Sequence, residues 1–464
     1  MKKHLLLIAV LLFVTCASPW AQIRLPRLLS SNMVLQQRSA VQLWGWSSPA
    51  EVIKITPSWS NATVSAVAGR DAKWTVWLQT PDAGGPYTIL LEASNSILLE
   101  NILIGEVWLL SGQSNMEWSA MNNNQQAMEE APRASHPQIR LFHIPKTTAS
   151  YPQDDCAATW KVCNPDDMKR FSAIGYFFGK MLQEELKVPI GLINASWGGT
   201  AAEVWTPREV VEKDIELLES ARQLNAYPWW PRIPGAAYNA MIAPVTPFRI
   251  AGTLWYQGES NAGQSALYTR LFTSMIKSWR QEWGYPFPFY FVQIAPYTYD
   301  KPLIGALLRE AQTESTQVPN TGMVVVSDLV DNVKDIHPQN KKDVAVRLAR
   351  MALAEHYQKT SPPYRSPLYD KMTLENGKAR IHFKYAENGL MSTGKEPSEF
   401  TIAGDDRIFY NASAKIEGST VVVSSPDVKV PVAVRFGFSN ASIPNLFSKE
   451  GLPVNLFRTD RWPN

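Results

Sequence analysis

A chain of 464 residues with 45% hydrophobic and 11% aromatic residues is long enough for two or three cored domains and too apolar to be disordered. Its 45 basic and 42 acidic residues leave a formal charge of +3 with no basic block or acidic tail, which argues against nucleic acid or an anionic membrane surface as partner. A small or uncharged ligand fits this composition better.

The amino terminus opens with Met1, Lys2 and Lys3, runs apolar from Leu5 to Val14, and reaches small residues at Ala17, Ser18 and Ala21. That order is a secretory signal, so residues 1–21 are set apart from the fold and the mature chain is expected to be secreted or periplasmic. Cys16 offers a route to lipid anchoring, which the preceding Phe13, Val14 and Thr15 disfavour. No later stretch has the length and apolarity of a membrane span, so no membrane contact is expected once the signal is removed. Beyond Cys16 only Cys156 and Cys163 remain, and an exported chain favours a local disulfide over a metal site, which needs more ligands than two thiols.

Residues 22–100 read as short β segments ("VQLWGWS", "EVIKITPS", "ATVSAVAG", "KWTVWLQT", "YTILLEAS") punctuated by Pro, Gly, Asn and Asp, the pattern of an N-terminal β-sandwich. From 101 to 358 strands and helices alternate. Buried-strand segments "ILIGEVWLLS", "PIGLINAS", "RIAGTLWYQ", "FPFYFVQIA" and "GMVVVSDL" are separated by helical periods. One runs through Phe171, Ile174, Phe178, Met181 and Leu182, another through Leu267, Leu271, Met275, Trp279 and Trp283, and a third covers 343–356. Such alternation predicts an α/β fold with a doubly wound parallel sheet, whose ligands bind at the carboxyl ends of the strands. Residues 359–464 return to β character in "MTLENGK", "ARIHFKY", "STVVVSS" and "VAVRFGFSN", either as a separate sandwich or as strands joining the first.

Three strand ends carry polar, glycine-rich sequence: "SGQSNMEW" at 111–118, "NASWGGTAAEVW" at 194–205 and "WYQGESNA" at 255–262. A fourth loop, "DLVDNVKDIHPQNK" at 328–341, follows the last predicted strand. Ser114 stands where a strand gives way to a helix start, a position that exposes a nucleophile's oxygen beside free backbone N–H groups; a plain helix cap is the alternative. The second glycine of the G-x-S-x-G elbow is missing, which argues against an α/β-hydrolase. Of the histidines, His4 lies in the leader, His382 in a strand, and His356 at a helix end. His136 and His143 flank a stretch not tied to a strand end. Only His337 occupies a strand-to-helix loop, with Asp335 before it and Pro338 behind it, so His337 is the candidate general base.

An acyl-transfer oxyanion needs donors, and the candidates are the backbone N–H groups of Ser114 and Gly199 with the side-chain amide of Gln257, Asn261 being the reserve. Trp118, Trp197, Trp205, Trp229, Trp230, Trp255 and Tyr256 crowd the same loops. They suit sugar faces, although at least half are expected to be core residues.

Together, "GQSNMEW", "NASWGGTAAEVW", "WYQGESNA" and "DIHPQNK", with "MVLQQ", "YNAMIAP" and "GLPVNLFRTD", resemble the blocks of sialate O-acetylesterases and related carbohydrate acetylesterases of the SGNH hydrolase superfamily. The resemblance implies a flavodoxin-like core with β-sandwich accessory regions and metal-independent hydrolysis of acetyl esters, needing no cofactor, often with sialic acid as the acetylated sugar. It puts the nucleophile on Ser114, the second-block glycine on Gly199, the polar oxyanion residue on Gln257 and the histidine on His337. Many such hydrolases place an acid three residues before the histidine, but Lys334 stands there. The third triad member is therefore open between Asp335 and a backbone carbonyl, with Asp331 and Asp328 able to fold back. A sialic acid carboxylate would call for an arginine near the pocket, and Arg309 and Arg208 are the guesses. An acetylated plant polysaccharide such as acetylxylan is the alternative substrate, and a noncatalytic carbohydrate-binding protein is the rival from another class.

Overall fold

The structure, a computed structural model, describes residues 22–60, 62–360 and 362–463; the expected signal peptide, Cys16 and His4 lie outside them. The fold is mixed α/β. Strands β1 (Ser96–Gly112), β2 (His136–His143), β3 (Trp160–Cys163), β4 (Ile190–Ser196), β5 (Gly252–Tyr256), β6 (Phe289–Val292) and β7 (Thr321–Val324) form the path β7-β6-β5-β1-β4-β2-β3 within a sheet of 11 strands. Every pair on this path is parallel except β2 with β3. With that hairpin set aside, β4-β1-β5-β6-β7 follows the 2-1-3-4-5 order of a flavodoxin-like, doubly wound sheet. The hairpin corrects the reading of His136 and His143, which begin and end β2. Its polar, proline-bearing start carries no strand period.

The central strands are apolar because both faces are covered. Val107, Leu109, Trp255, Phe289 and Phe291 face one core, while Trp108, Leu110, Leu254, Tyr290 and Val292 face the other. After the short α1 (Ser114–Glu117), helices α2 (Ala173–Leu186) and α5 (Lys341–Glu355) pack together on the second face. Helices α3 (Ser265–Trp283) and α4 (Ile304–Ser315) pack together on the first. Helix α4 was not expected because Arg309, Gln312 and Ser315 interrupt its apolar face with polar side chains that are themselves buried.

At the amino end, β1 runs straight through the boundary expected at 100/101. Its first half pairs antiparallel with Gly84–Glu92 and parallel with Val34–Gln36. Ile53, Ile55, Ile89 and Leu91 of this sandwich belong to the same core as Val107 and Trp255, so the accessory layer and the central sheet are packed as one body. The carboxyl-terminal strands form a sandwich of their own, with two four-stranded sheets around a separate core that includes Ile381, Val421, Ile402 and Phe436. Arg309 locks it to α4. Fully enclosed, its guanidinium donates to the carbonyls of Ser439, Asn440 and Gly305, and beside it Arg458 pairs with Glu310 at 2.8 Å. Arg309 is thus a docking residue and cannot meet a sugar carboxylate.

Cys156 and Cys163 are free thiols buried in different cores, with the Cys163 sulfur against the Ala134 carbonyl at 3.6 Å. The expected local disulfide is therefore not formed, since each side chain is committed to a separate packing layer. Burial pushes both thiols up to about 12, far from thiolate chemistry. Denatured without reductant, the protein should titrate Cys156 and Cys163 as thiols with a disulfide-exchange reagent, whereas in the native protein both should react slowly.

Candidate active site

Gly112 ends β1 at φ 129°, where a Cβ would overlap the Tyr256 carbonyl oxygen. The next N–H, of Gln113, donates to that same oxygen at 2.9 Å, and Trp197 N–H donates to Gly112 O at 3.0 Å. The end of β1 is thereby tied to β5 on one side and β4 on the other. Gln113 Oε1 accepts from the N–H groups of Gly258 and Ser260, each at 3.3 Å, binding the "QGES" loop to the same turn. Ser114 follows as the first residue of α1, partly exposed. Its N–H is one of the orphan donors of a helix start and has no partner among the described residues.

Across this edge, Ser114 Oγ and His337 Nε2 meet at 2.9 Å although 223 positions separate them. Trp118 stacks on the imidazole, with ring centroids 4.5 Å apart and planes at 21°, so this tryptophan holds the histidine and is not a free sugar platform. Burial pushes the imidazole below its ordinary range and the Lys341 ammonium adds to the effect, while Asp335 and Glu117 oppose it. The neutral, proton-accepting form is therefore favoured at neutral pH. The other described histidines are engaged elsewhere: His136 with Tyr176, His143 against Phe171, His356 against Trp108, and His382 with Thr373.

Asp335 lies beside His337 without a hydrogen bond to its ring. Its Oδ1 accepts the His337 backbone N–H at 2.9 Å and stands 3.8 Å from Nδ1, an electrostatic contact. No backbone carbonyl accepts from Nδ1 among the described residues. Asp328 is committed to Arg347 through bonds of 2.7 and 2.6 Å, and Asp331 is exposed with no contact to the ring. Asp335 is thus the one carboxylate of the three at the imidazole.

The turn after β4 brings Gly198 against Ser114, where a Cβ on it would lie 3.2 Å from the serine Cβ. Gly198 N–H donates to Glu117 Oε2 at 2.5 Å, and Glu117 pairs with Lys146 at 2.5 Å. Gly199 follows at φ 80°, and its N–H, like that of Ser114, has no partner among the described residues. Gln257 does not join them. It is fully buried, its amide nitrogen donates to Thr200 O at 3.3 Å and Asn261 Oδ1 at 2.7 Å, and its oxygen accepts from Tyr268 at 2.9 Å. Asn261 is equally committed, accepting from Ala202 N–H at 2.9 Å and donating to Glu203 at 2.8 Å. In place of the expected oxyanion contacts, these two side chains brace the Thr200–Glu203 segment that follows the Gly198–Gly199 turn.

Trp205 and Trp255 are core residues. Tyr227, Trp229 and Trp230 instead form an aromatic knot at the surface with centroids 4.5 to 5.9 Å apart, tied down by the Trp197 indole N–H on Trp229 O at 3.1 Å. Trp230 lies directly on Gly199, leaving no room there for a Cβ. Between the knot and the Ser260 loop is a cavity of about 220 Å³, where Arg232 is the one charged lining residue. Neither Arg208 nor Arg309 lines it. The sequence assigned no role to Glu117, Arg232 or Lys341. For Glu117, the only available signal was its place on the same helical turn as Ser114.

Among the described residues no group of three or more His, Cys, Asp or Glu side chains is arranged to hold a metal ion. The sequence model of a family described as "Carbohydrate esterase, sialic acid-specific acetylesterase" matches residues 104–359. A sialate O-acetylesterase of Rattus norvegicus is 30% identical over 414 residues, covering 75% of this chain and 76% of the relative. The Mus musculus sialate O-acetylesterase is 28% identical, covering 82% of this chain and 81% of the relative. Among solved structures, a carbohydrate acetylesterase from Xanthomonas citri superposes with a TM-score of 0.86 at 36% identity, covering 95% of this chain and 100% of the other.

Because Asp335 reaches the imidazole only electrostatically, and an asparagine oxygen could still accept the His337 N–H, Asp335→Asn should lower kcat on 4-nitrophenyl acetate by about 10-fold, well short of the roughly 10⁴-fold of a hydrogen-bonded triad acid. A loss near the larger figure would show that Asp335 turns onto Nδ1 during turnover.

Proposed function

The chain belongs to the sialic acid-specific acetylesterase family of carbohydrate esterases, and we propose from that premise that Ser114 and His337 carry out its ester hydrolysis through an acetyl-enzyme intermediate. The enzyme is a carbohydrate acetylesterase. The observation that carries the catalytic assignment is the 2.9 Å contact between Ser114 Oγ and His337 Nε2 at the carboxyl edge of the sheet. In the proposed mechanism Ser114 Oγ attacks the acetyl carbonyl as His337 takes its proton, and the oxyanion is met by the N–H groups of Ser114 and Gly199. The imidazolium returns its proton to the departing sugar oxygen. Water, deprotonated by His337, then releases acetate. No step needs a metal or an organic cofactor. The placement of a serine nucleophile after the first strand and a histidine after the last supports an SGNH hydrolase reading of this 2-1-3-4-5 sheet.

The substrate we propose is an O-acetylated sialic acid, 9-O-acetyl in particular. Arg232 supports it: its guanidinium lines the cavity beside Gly199 and could meet a sugar carboxylate there. An acetylated polysaccharide such as acetylxylan is the second reading, favoured by Trp229, which is 62% exposed and offers a ring face to a longer neutral sugar chain. Secretion or periplasmic location is proposed from the leader-like first 21 residues, and no helix among the described residues is long and apolar enough to cross a membrane.

Ser114→Ala should reduce kcat on 4-nitrophenyl acetate by at least about 10³-fold while leaving the fold intact by circular dichroism, the scale of loss when a triad nucleophile is removed. Retention of a tenth of wild-type kcat would assign the attack to another group. Acetate release from O-acetylated sialic acid and from acetylated xylan separates the substrates. Arg232→Gln should raise KM for the sialic acid ester by about 10-fold, the loss of roughly one charge-assisted hydrogen bond, and leave a neutral acetylated sugar unchanged. Equal effects on both would remove the carboxylate role.

A further inference from the structure

Beneath the Ser114–His337 pair lies a buried ionisable cluster that ester hydrolysis does not itself require. Lys341 is the first residue of α5, a helix end that repels cations, and its side chain is almost completely enclosed. Its ammonium donates to Asn115 Oδ1 at 2.5 Å and sits 5.3 Å from the centroid of Trp118 and 5.9 Å from that of Tyr256. Asn115 then uses both amide hydrogens, one to Glu259 Oε1 at 2.6 Å and one to the Ile336 carbonyl at 3.1 Å. Asn115 is covalently next to Ser114, Ile336 next to His337, and Trp118 is the ring stacked on His337. One buried cation therefore reaches the neighbours of both reacting side chains.

We propose that Lys341 is a positioning residue for the Ser114–His337 pair: through Asn115, Ile336 and Trp118 it fixes the serine turn and the histidine loop in register, and it sets a positive charge near the imidazole. The proposal rests on the catalytic reading of that pair. The groups that set the charge around His337 are Asp335 from its own loop, Glu117 from α1 and Lys341 from α5; those around Lys341 are Glu259 and Asp335. Burial, partly offset by the two carboxylates, brings Lys341 down to about 7, so it carries substantial charge through the acidic range in which His337 titrates. A cation there disfavours the imidazolium, so its removal should raise the histidine's titration.

The test compares Lys341→Met, which loses both the donor and the charge, with Lys341→Gln, which keeps an N–H donor for Asn115 but not the charge. With 4-nitrophenyl acetate, Lys341→Met should lose about 10-fold or more in kcat with KM within about 2-fold, as a misplaced reacting group does. Lys341→Gln should recover most of that kcat. In both variants the acid limb of kcat/KM should move up by about half a pH unit, the effect of removing a nearby like charge. Should Lys341→Met fail to fold, the limb of Lys341→Gln still decides the charge role. An acid limb unmoved in folded Lys341→Gln, or undiminished kcat in folded Lys341→Met, overturns the proposal. Ser114→Ala assayed in parallel separates this from the catalytic reading: if it remains active, that reading fails first, whatever the lysine variants do.

Discussion

The end of β1 has to turn out of a parallel sheet while strands press on both sides, and the rest of the site follows from how that is done. Only a glycine fits at position 112, because the Tyr256 carbonyl oxygen occupies the space of a side chain. The same oxygen then receives the Gln113 N–H, and the Gly112 carbonyl receives Trp197 N–H, so the buried ends of three strands satisfy one another. Ser114 emerges above this joint with its N–H still free. The loops after β4 and β5 are brought to it by the same bonds, so the backbone glycines of one and the polar run of the other face a common edge.

That joint explains why so much of the polar sequence around it is buried. Each unpaired group at a strand end would cost about 1–3 kcal/mol, so the loops carry side chains that complete the bonding. Gln113, Gln257, Asn261 and Glu203 do this, and each is spent on protein partners. Few groups are left to face the cleft: the serine oxygen, one ring nitrogen, two backbone N–H groups and the partly exposed carboxylates of Glu117 and Asp335. Those carboxylates favour an imidazolium, while burial and Lys341 oppose it, and the opposing pair prevails in the resting site. In the proposed mechanism the histidine is therefore ready to accept a proton at neutral pH, while the two acids remain to stabilise the cation once it forms.

The sheet was legible because its strands are buried on both faces and read as continuous apolar runs, and the Ser114 and His337 pair because one histidine alone sits in a strand-to-helix loop. What was lost has physical causes. The hairpin β2–β3 begins with polar residues, α4 hides its period behind buried Arg309 and Gln312, and cysteine spacing says nothing about which core each thiol enters. Gln257 was misread for a different reason: sequence places it correctly beside the cleft, but an amide shows no preference between facing the substrate and bracing a turn. Only the bonds to Thr200, Asn261 and Tyr268 settle that. Asp335 falls between these cases, adjacent as expected but bonded to its own loop's backbone.

The aromatic knot bears on catalysis through Gly199. Trp230 packs on this glycine closely enough that any side chain would collide with the ring, and Trp197, two positions before the glycine, holds the knot by its indole N–H. The turn that presents the Gly199 N–H therefore has Glu117 gripping it from below and the Tyr227–Trp230 segment pressing from above. A sugar seated against that segment would load the same turn that carries the backbone donor. In the proposed mechanism, contacts remote from the ester would then set the donor's position as charge develops on the carbonyl oxygen, which is how binding energy away from the reacting bond comes to lower its barrier.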